Sequence, residues 1–159
     1  MEPAETCSVA NLVESAEAQA VLQHTRQMLD SFAVPPVERM VGDRAALREI
    51  VSELESAGTA VFIVANASAD PLSAAVSEIT TKPVLAVPLE GLGLAALDAL
   101  RASVREGTVA GTLAIGKAGA INAALLAVAI FANTNADLRA KLERFRQEQT
   151  AKVLAETLA

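Results

Sequence analysis

Hydrophobic positions along the chain fall into five short runs: Ser8–Val13, Val37–Val41, Ala60–Ala65, Val84–Val87 and Val109–Ile115. Three of them, most clearly Val61-Phe62-Ile63-Val64, are continuous rather than alternating, as parallel strands covered on both faces are. Helical spacing separates them. Ser15 to Phe32 places Val21, Leu22, Met28, Leu29 and Phe32 on one side and stops before Pro35-Pro36. Ala45 to Ala57 carries Leu47, Ile50, Val51 and Leu54, with Gly58 as a stop signal. Asp70 followed by Pro71 reads as the N-cap and first turn of a third helix, and Leu94–Val104 as a fourth. Strands alternating with helices predict right-handed crossovers and an α/β three-layer αβα sandwich around a five-stranded parallel sheet.

After the fifth run the pattern changes. Lys117–Ala132 is apolar almost all round, which predicts a helix buried on nearly every side. Asn133-Thr134-Asn135 ends it. A long amphipathic helix follows to about Leu158, with Leu138, Leu142, Phe145, Val153 and Leu154 as its apolar stripe. Such a terminal arm fits packing or subunit docking better than catalysis. No linker or repeat divides the 159 residues. They read as a single domain, with a core over about 7–132 and an oligomerisation helix over about 135–158.

Composition narrows the function classes. The formal charge is −6, Lys and Arg are scattered, and neither Trp nor Tyr is present. Without a basic stripe to neutralise phosphates or rings to stack on bases, nucleic acid is not an expected partner. The longest apolar stretch is shorter than the ~20 residues that span a bilayer, so no membrane is expected. Cys7 is the only cysteine and the start of the chain, Met1-Glu2-Pro3-Ala4-Glu5, is acidic, which together predict a cytoplasmic protein. One His and one Cys supply no metal-ligand cluster, and no cofactor is implied.

Two glycine patterns resemble nucleotide motifs and lack their chemistry. Gly111-x4-Gly116-Lys117 is followed by Ala118, where a P-loop needs a hydroxyl for magnesium. Gly91-Leu92-Gly93 comes late in the chain and has no acidic residue at the end of the next strand. His24 lies mid-helix on a polar face and reads as a surface residue. Asp43 and Asp70 both follow strands at the edge where α/β sheets bind ligands. They fit helix caps or a carboxylate pair, caps being the simpler reading.

One long segment carries a family resemblance. The run Gly111-Thr112-Leu113-Ala114-Ile115-Gly116-Lys117-Ala118-Gly119-Ala120-Ile121-Asn122-Ala123-Ala124-Leu125-Leu126-Ala127 resembles the last strand and following helix of the PurE family. These are the carboxyaminoimidazole ribonucleotide mutases and aminoimidazole ribonucleotide carboxylases of purine biosynthesis. Lys82-Pro83-Val84-Leu85-Ala86-Val87-Pro88 and the terminal Leu142-x2-Phe145-Arg146-x2-Gln149-Thr150-x2-Val153-Leu154 extend the similarity from about Cys7 to Leu158. The resemblance implies a flavodoxin-like fold and a homo-octamer in which terminal helices cross between subunits.

The same resemblance marks where the chemistry should lie. Glu14-Ser15-Ala16-Glu17-Ala18 matches a family motif, Gly-Ser-x-Ser-Asp, that holds the ribonucleotide phosphate and ribose; Glu14 stands where glycine is expected. Val41-Gly42-Asp43-Arg44 matches Ser-Ala-His-Arg, with Asp43 in the His position. Asn66-Ala67-Ser68-Ala69-Asp70-Pro71-Leu72-Ser73 matches a glycine-rich loop ending in the catalytic His, and contains neither. Carboxylate transfer on an aminoimidazole ring needs proton transfer near neutral pH, worth ~10²–10⁴ in rate. Asp70 or Asp43 could supply it only if burial raised the carboxylate's pKa by several units. Ser15, Arg44 and Lys117 are the candidate ligand contacts. The expected function is a divergent, non-catalytic PurE-like oligomer, a pseudoenzyme. It would bind a small nucleotide-like ligand or a catalytically intact paralogue. The alternative is an active mutase or carboxylase that uses Asp70 or Asp43 as acid/base.

Overall fold

A computed structural model describes residues 8–67, 71–89, 101, 104, 107 and 109–156. Five strands form one wholly parallel sheet: β1 (Ser8–Val13), β2 (Val37–Met40), β3 (Thr59–Asn66), β4 (Val84–Pro88) and β5 (Gly111–Thr112). Their spatial order is β2-β1-β3-β4-β5, the flavodoxin-like arrangement, in which the winding reverses between β1 and β3. The helices are α1 (Ala16–Ser31), α2 (Leu47–Ser56), α3 (Leu72–Ser77), α4 (Gly116–Phe131) and α5 (Ala136–Ala155).

The period of two along each strand separates two cores. Val9 and Val13 of β1 and Val61 and Ile63 of β3 pack with Leu22 and Leu29 of α1 and Ala120, Ala123, Ala124 and Ala127 of α4. Ala10, Leu12, Phe62 and Val64 point the other way, onto Leu47, Val51 and Leu54 of α2 and Leu72 and Val76 of α3. Both faces of β1 and β3 are thus covered, which explains their continuous apolar character.

Local chemistry sets most element ends. Ser15 caps α1, its Oγ accepting from the Ala18 amide at 3.1 Å. Ala57 closes α2 and Gly58 follows at φ +96°, a left-handed position that glycine adopts without strain. Asn135 caps α5 by accepting from the Leu138 amide at 3.0 Å.

Three expectations change. The fifth apolar run forms a strand only at Gly111–Thr112, because it is the sheet edge: it pairs with β4 alone and Val109 is 79% exposed. The third helix starts at Leu72 with Pro71 in its N-cap position, one residue later than expected, and Asp70 lies outside the described residues. Burial of α4 is one-sided within the chain. Gly116, Gly119, Ala120, Ala123, Ala124, Ala127, Val128 and Phe131 are covered, while Leu126 is 40% exposed. The expected helix Leu94–Val104 lies outside the described residues except for Arg101 and Val104, and Gly91 to Gly93 lies outside them altogether.

The terminal helix docks by its first half. Leu138 and Leu142 are buried, and the Phe145 ring meets Phe32 at 5.6 Å between centroids. Val153 and Leu154 project into solvent on the far half.

Candidate functional site

Parallel α/β sheets bind ligands beyond the carboxyl ends of their strands, at the point where the winding reverses. In this chain that point lies between β1 and β3. The residues that leave β1, β2 and β3 there are Glu14 and Ser15, Gly42 to Arg44, and Asn66.

The first two segments are tied together by charge. Arg44 donates from Nε to Oε1 of Glu14 at 2.5 Å, and from a terminal nitrogen to Oε2 at 2.8 Å, a two-pronged fork. Planar guanidinium and carboxylate match in this geometry, which makes such pairs among the strongest charge-assisted bonds. Both side chains are about one third exposed (32% for Arg44 and 30% for Glu14). Each joins the pair because β1 and β2 are adjacent and parallel: the Val41 amide donates to the Val13 carbonyl at 2.7 Å, bringing the two exits side by side.

Neighbouring polar groups are also engaged within the protein. The Ser15 hydroxyl is committed to the α1 cap. Asp43 is exposed and accepts from the Ala45 amide at 2.9 Å, capping the single 3-10 turn Arg44–Ala46. The burial an acid/base carboxylate requires is therefore not present at Asp43. At the end of β3, Asn66 Nδ2 donates to Ser73 Oγ at 2.7 Å and the Ser73 amide donates to Asn66 Oδ1 at 3.1 Å. Both residues are buried, so this reciprocal pair fastens the start of α3 to the strand end.

The expected site residues thus divide. Ser15, Asp43 and Arg44 lie at one edge with Glu14 among them. Asp70 lies outside the described residues. Lys117 lines a separate open groove of about 480 Å³ between α1, α4 and α5, together with His24, Gln27, Ile121, Phe145 and Lys152. His24, half-buried in that groove, shares no lining with the strand edge. Among the described residues no cluster of His, Cys, Asp or Glu could hold a metal ion. No described helix is long and apolar enough to cross a membrane.

Comparison with known proteins settles the lineage. The family model described as AIR carboxylase matches residues 8–152. The chain belongs to this family, PurE.

PurE relatives share much of the sequence. An N5-carboxyaminoimidazole ribonucleotide mutase of Vibrio vulnificus is 39% identical over 134 residues, covering 81% of this chain and 83% of its own. The mutase of the same name from Escherichia coli K12 is 35% identical over 151 residues, covering 92% and 89%. The crystal structure of Treponema denticola PurE superposes with a TM-score of 0.82 at 18% identity, over 92% of this chain and 94% of that one, which establishes the common fold. The PurE assignment ties the protein to purine biosynthesis.

Two features of the edge were not anticipated from sequence. The Glu14–Arg44 fork joins residues thirty positions apart, and only the β1–β2 adjacency reveals it. The Asn66–Ser73 pair had a readable signal, since Asn66 is a polar residue closing the apolar run Ala60–Ala65.

Proposed function

We propose that this PurE-family protein does not itself transfer a carboxylate. It serves as a cytoplasmic oligomeric scaffold, and its strand edge binds a small ligand or supports a catalytically intact relative. The carrying observation is the Glu14–Arg44 fork. The arginine that would meet a ribonucleotide phosphate is already held by an internal carboxylate. Glu14 both occupies that guanidinium and places a negative charge where a phosphate dianion would approach. The catalytic His of the PurE glycine-rich loop has no counterpart in residues 66–73, and Asp43, in the other motif's His position, is engaged as a cap. Assembly, in the octameric form implied by the PurE resemblance, is supported by the exposed Leu126 of α4 and by Val153 and Leu154 on the projecting half of α5.

Restoring the glycine tests this reading. Titration of inorganic phosphate and ribose 5-phosphate should show weak binding to the wild type and at least about tenfold tighter binding to Glu14→Gly, since charge-assisted bonds are worth ~1.5–3 kcal/mol. Equal affinity in the two proteins would contradict it.

A second reading, an active mutase, is favoured by the 34–39% identity to proteins of that name over most of the chain. It requires Asp70 or Asp43 to act as the acid/base.

A further inference from the structure

The end of α1 is closed by a turn that its own residues do not favour. The Val34 amide donates to the Leu29 carbonyl at 3.0 Å and the Ala33 amide to the Asp30 carbonyl at 2.9 Å, the paired bonds of a Schellman turn. Such turns put a left-handed residue just past the helix, and glycine is its ordinary occupant. Here Ala33 holds it at φ +62°, alone among the described non-glycine residues. A strained turn of this kind persists only where surrounding structure holds it. Charge is lacking as well. α1 has no basic residue in its last turn, and Asp30 stands there, at the end of the helix dipole that favours a cation.

Both deficits are met by the terminal helix. Lys141 of α5 donates from Nζ to the Phe32 carbonyl at 3.1 Å, bringing a cation to the carbonyl end of α1 from 109 positions away. One helical turn on, the Phe145 ring meets the Phe32 ring at 5.6 Å between centroids. Positions four apart share a helix face, so α5 grips one residue twice, by its carbonyl and by its ring. Leu138 and Leu142 are buried on the same half of the helix. Beyond this grip α5 has no cover: every residue from Arg146 to Glu156 is exposed. The free half, which carries Val153 and Leu154, is held by whatever holds Phe145.

We propose that the terminal helix is a strap latched on Phe32, with Lys141 as the positioning residue that caps α1 from outside it. The first half of α5 opens and closes on this latch as a local unit while the sheet stays folded. Closed, it supports the strained turn at Ala33 and gives the projecting half of α5 a fixed root.

Amide hydrogen exchange of the whole protein, resolved by segment, tests the latch. In the wild type, residues 140–145 should exchange faster than β1 and β3. Lys141→Met keeps the apolar stem and removes the donor. It should speed exchange at residues 140–145 by about tenfold, the scale set by loss of a charge-assisted bond, with β1 and β3 unchanged. Lys141→Arg, which retains a cationic donor, should restore most of the protection. Unchanged exchange in Lys141→Met would overturn the proposal. Acceleration spread equally over α5, β1 and β3 would make Lys141 a contributor to global stability alone, and would overturn it too. So would Lys141→Arg exchanging like Lys141→Met, because the cation would then have no part in the latch.

Discussion

Gly119→Ala should cost about 3 kcal/mol or more, at the upper end of overpacking penalties, and at about 2–4 °C per kcal/mol should lower Tm by roughly 6 °C or more. A Cβ built on Gly119 lies 1.7 Å from the Ala114 carbonyl oxygen and 2.7 Å from its carbon. Both are backbone atoms, in the turn that carries the chain from β5 into α4, so no flexible side chain can move aside. Val87 Cγ1 of β4 stands at 3.3 Å on the same side. Either the turn or the helix must shift, and a shift of α4 lifts Ala120, Ala123, Ala124 and Ala127 from the core they share with α1. Gly42→Ala is the matched control, because a Cβ there meets nothing within 4 Å. Thermal melts of the two variants check this. A Gly119→Ala protein melting with the wild type would mean that α4 does not seat against this turn.

Phe62→Ala should be at least as damaging, by roughly 3–5 kcal/mol. Phe62 is fully buried on the central strand β3 and heads the largest side chains of the interior. It fills the space between β3 and the α2–α3 layer, among Leu47, Leu54, Leu72 and Val76. The other buried residues of that layer are Ala, Val and Leu, so nothing nearby is large enough to close the cavity. Denaturant unfolding should show a lower midpoint with an unchanged slope. An effect below about 1 kcal/mol would be inconsistent with that packing.

How much of this was legible beforehand depends on where each signal resides. β1 falls at Ser8–Val13 as its apolar run predicts, and β3 and β4 agree within a residue, because strands buried on both faces write their burial directly into composition. The edge strand does not. Val109 to Ile115 is as apolar as a central strand, and the run itself does not say that Val109 faces solvent while only Gly111 and Thr112 pair. The all-round apolar pattern of α4 reports that the helix is to be covered but not by what. Within one chain Leu126 stays exposed, and a second subunit would leave the same sequence trace.

The candidate site was legible in position and not in state. Asp43 could be placed at the strand edge because α/β topology fixes where strands end, and Ser15 and Arg44 because of the PurE resemblance, whereas Lys117 lines a separate groove. Their engagements depend on geometry that sequence spacing does not encode. Ser15 and Asp43 cap their own following turns, and Arg44 finds Glu14 across two adjacent strands. The polar residue Asn11 breaks an apolar run in the strand, but its full burial and unpaired amide atoms required the packed structure.

Turnover of aminoimidazole ribonucleotide and its carboxylated forms by the purified protein tests the central claim most directly. An intact PurE mutase serves as the positive control, with Asp43→Asn and Asp70→Asn as variants and light scattering to verify the oligomer. The account predicts an assembled protein at background turnover, below the control by more than the ~10²–10⁴ that a placed acid/base contributes. Turnover well above background that disappears in Asp43→Asn or Asp70→Asn would contradict it and make that aspartate the replacement acid.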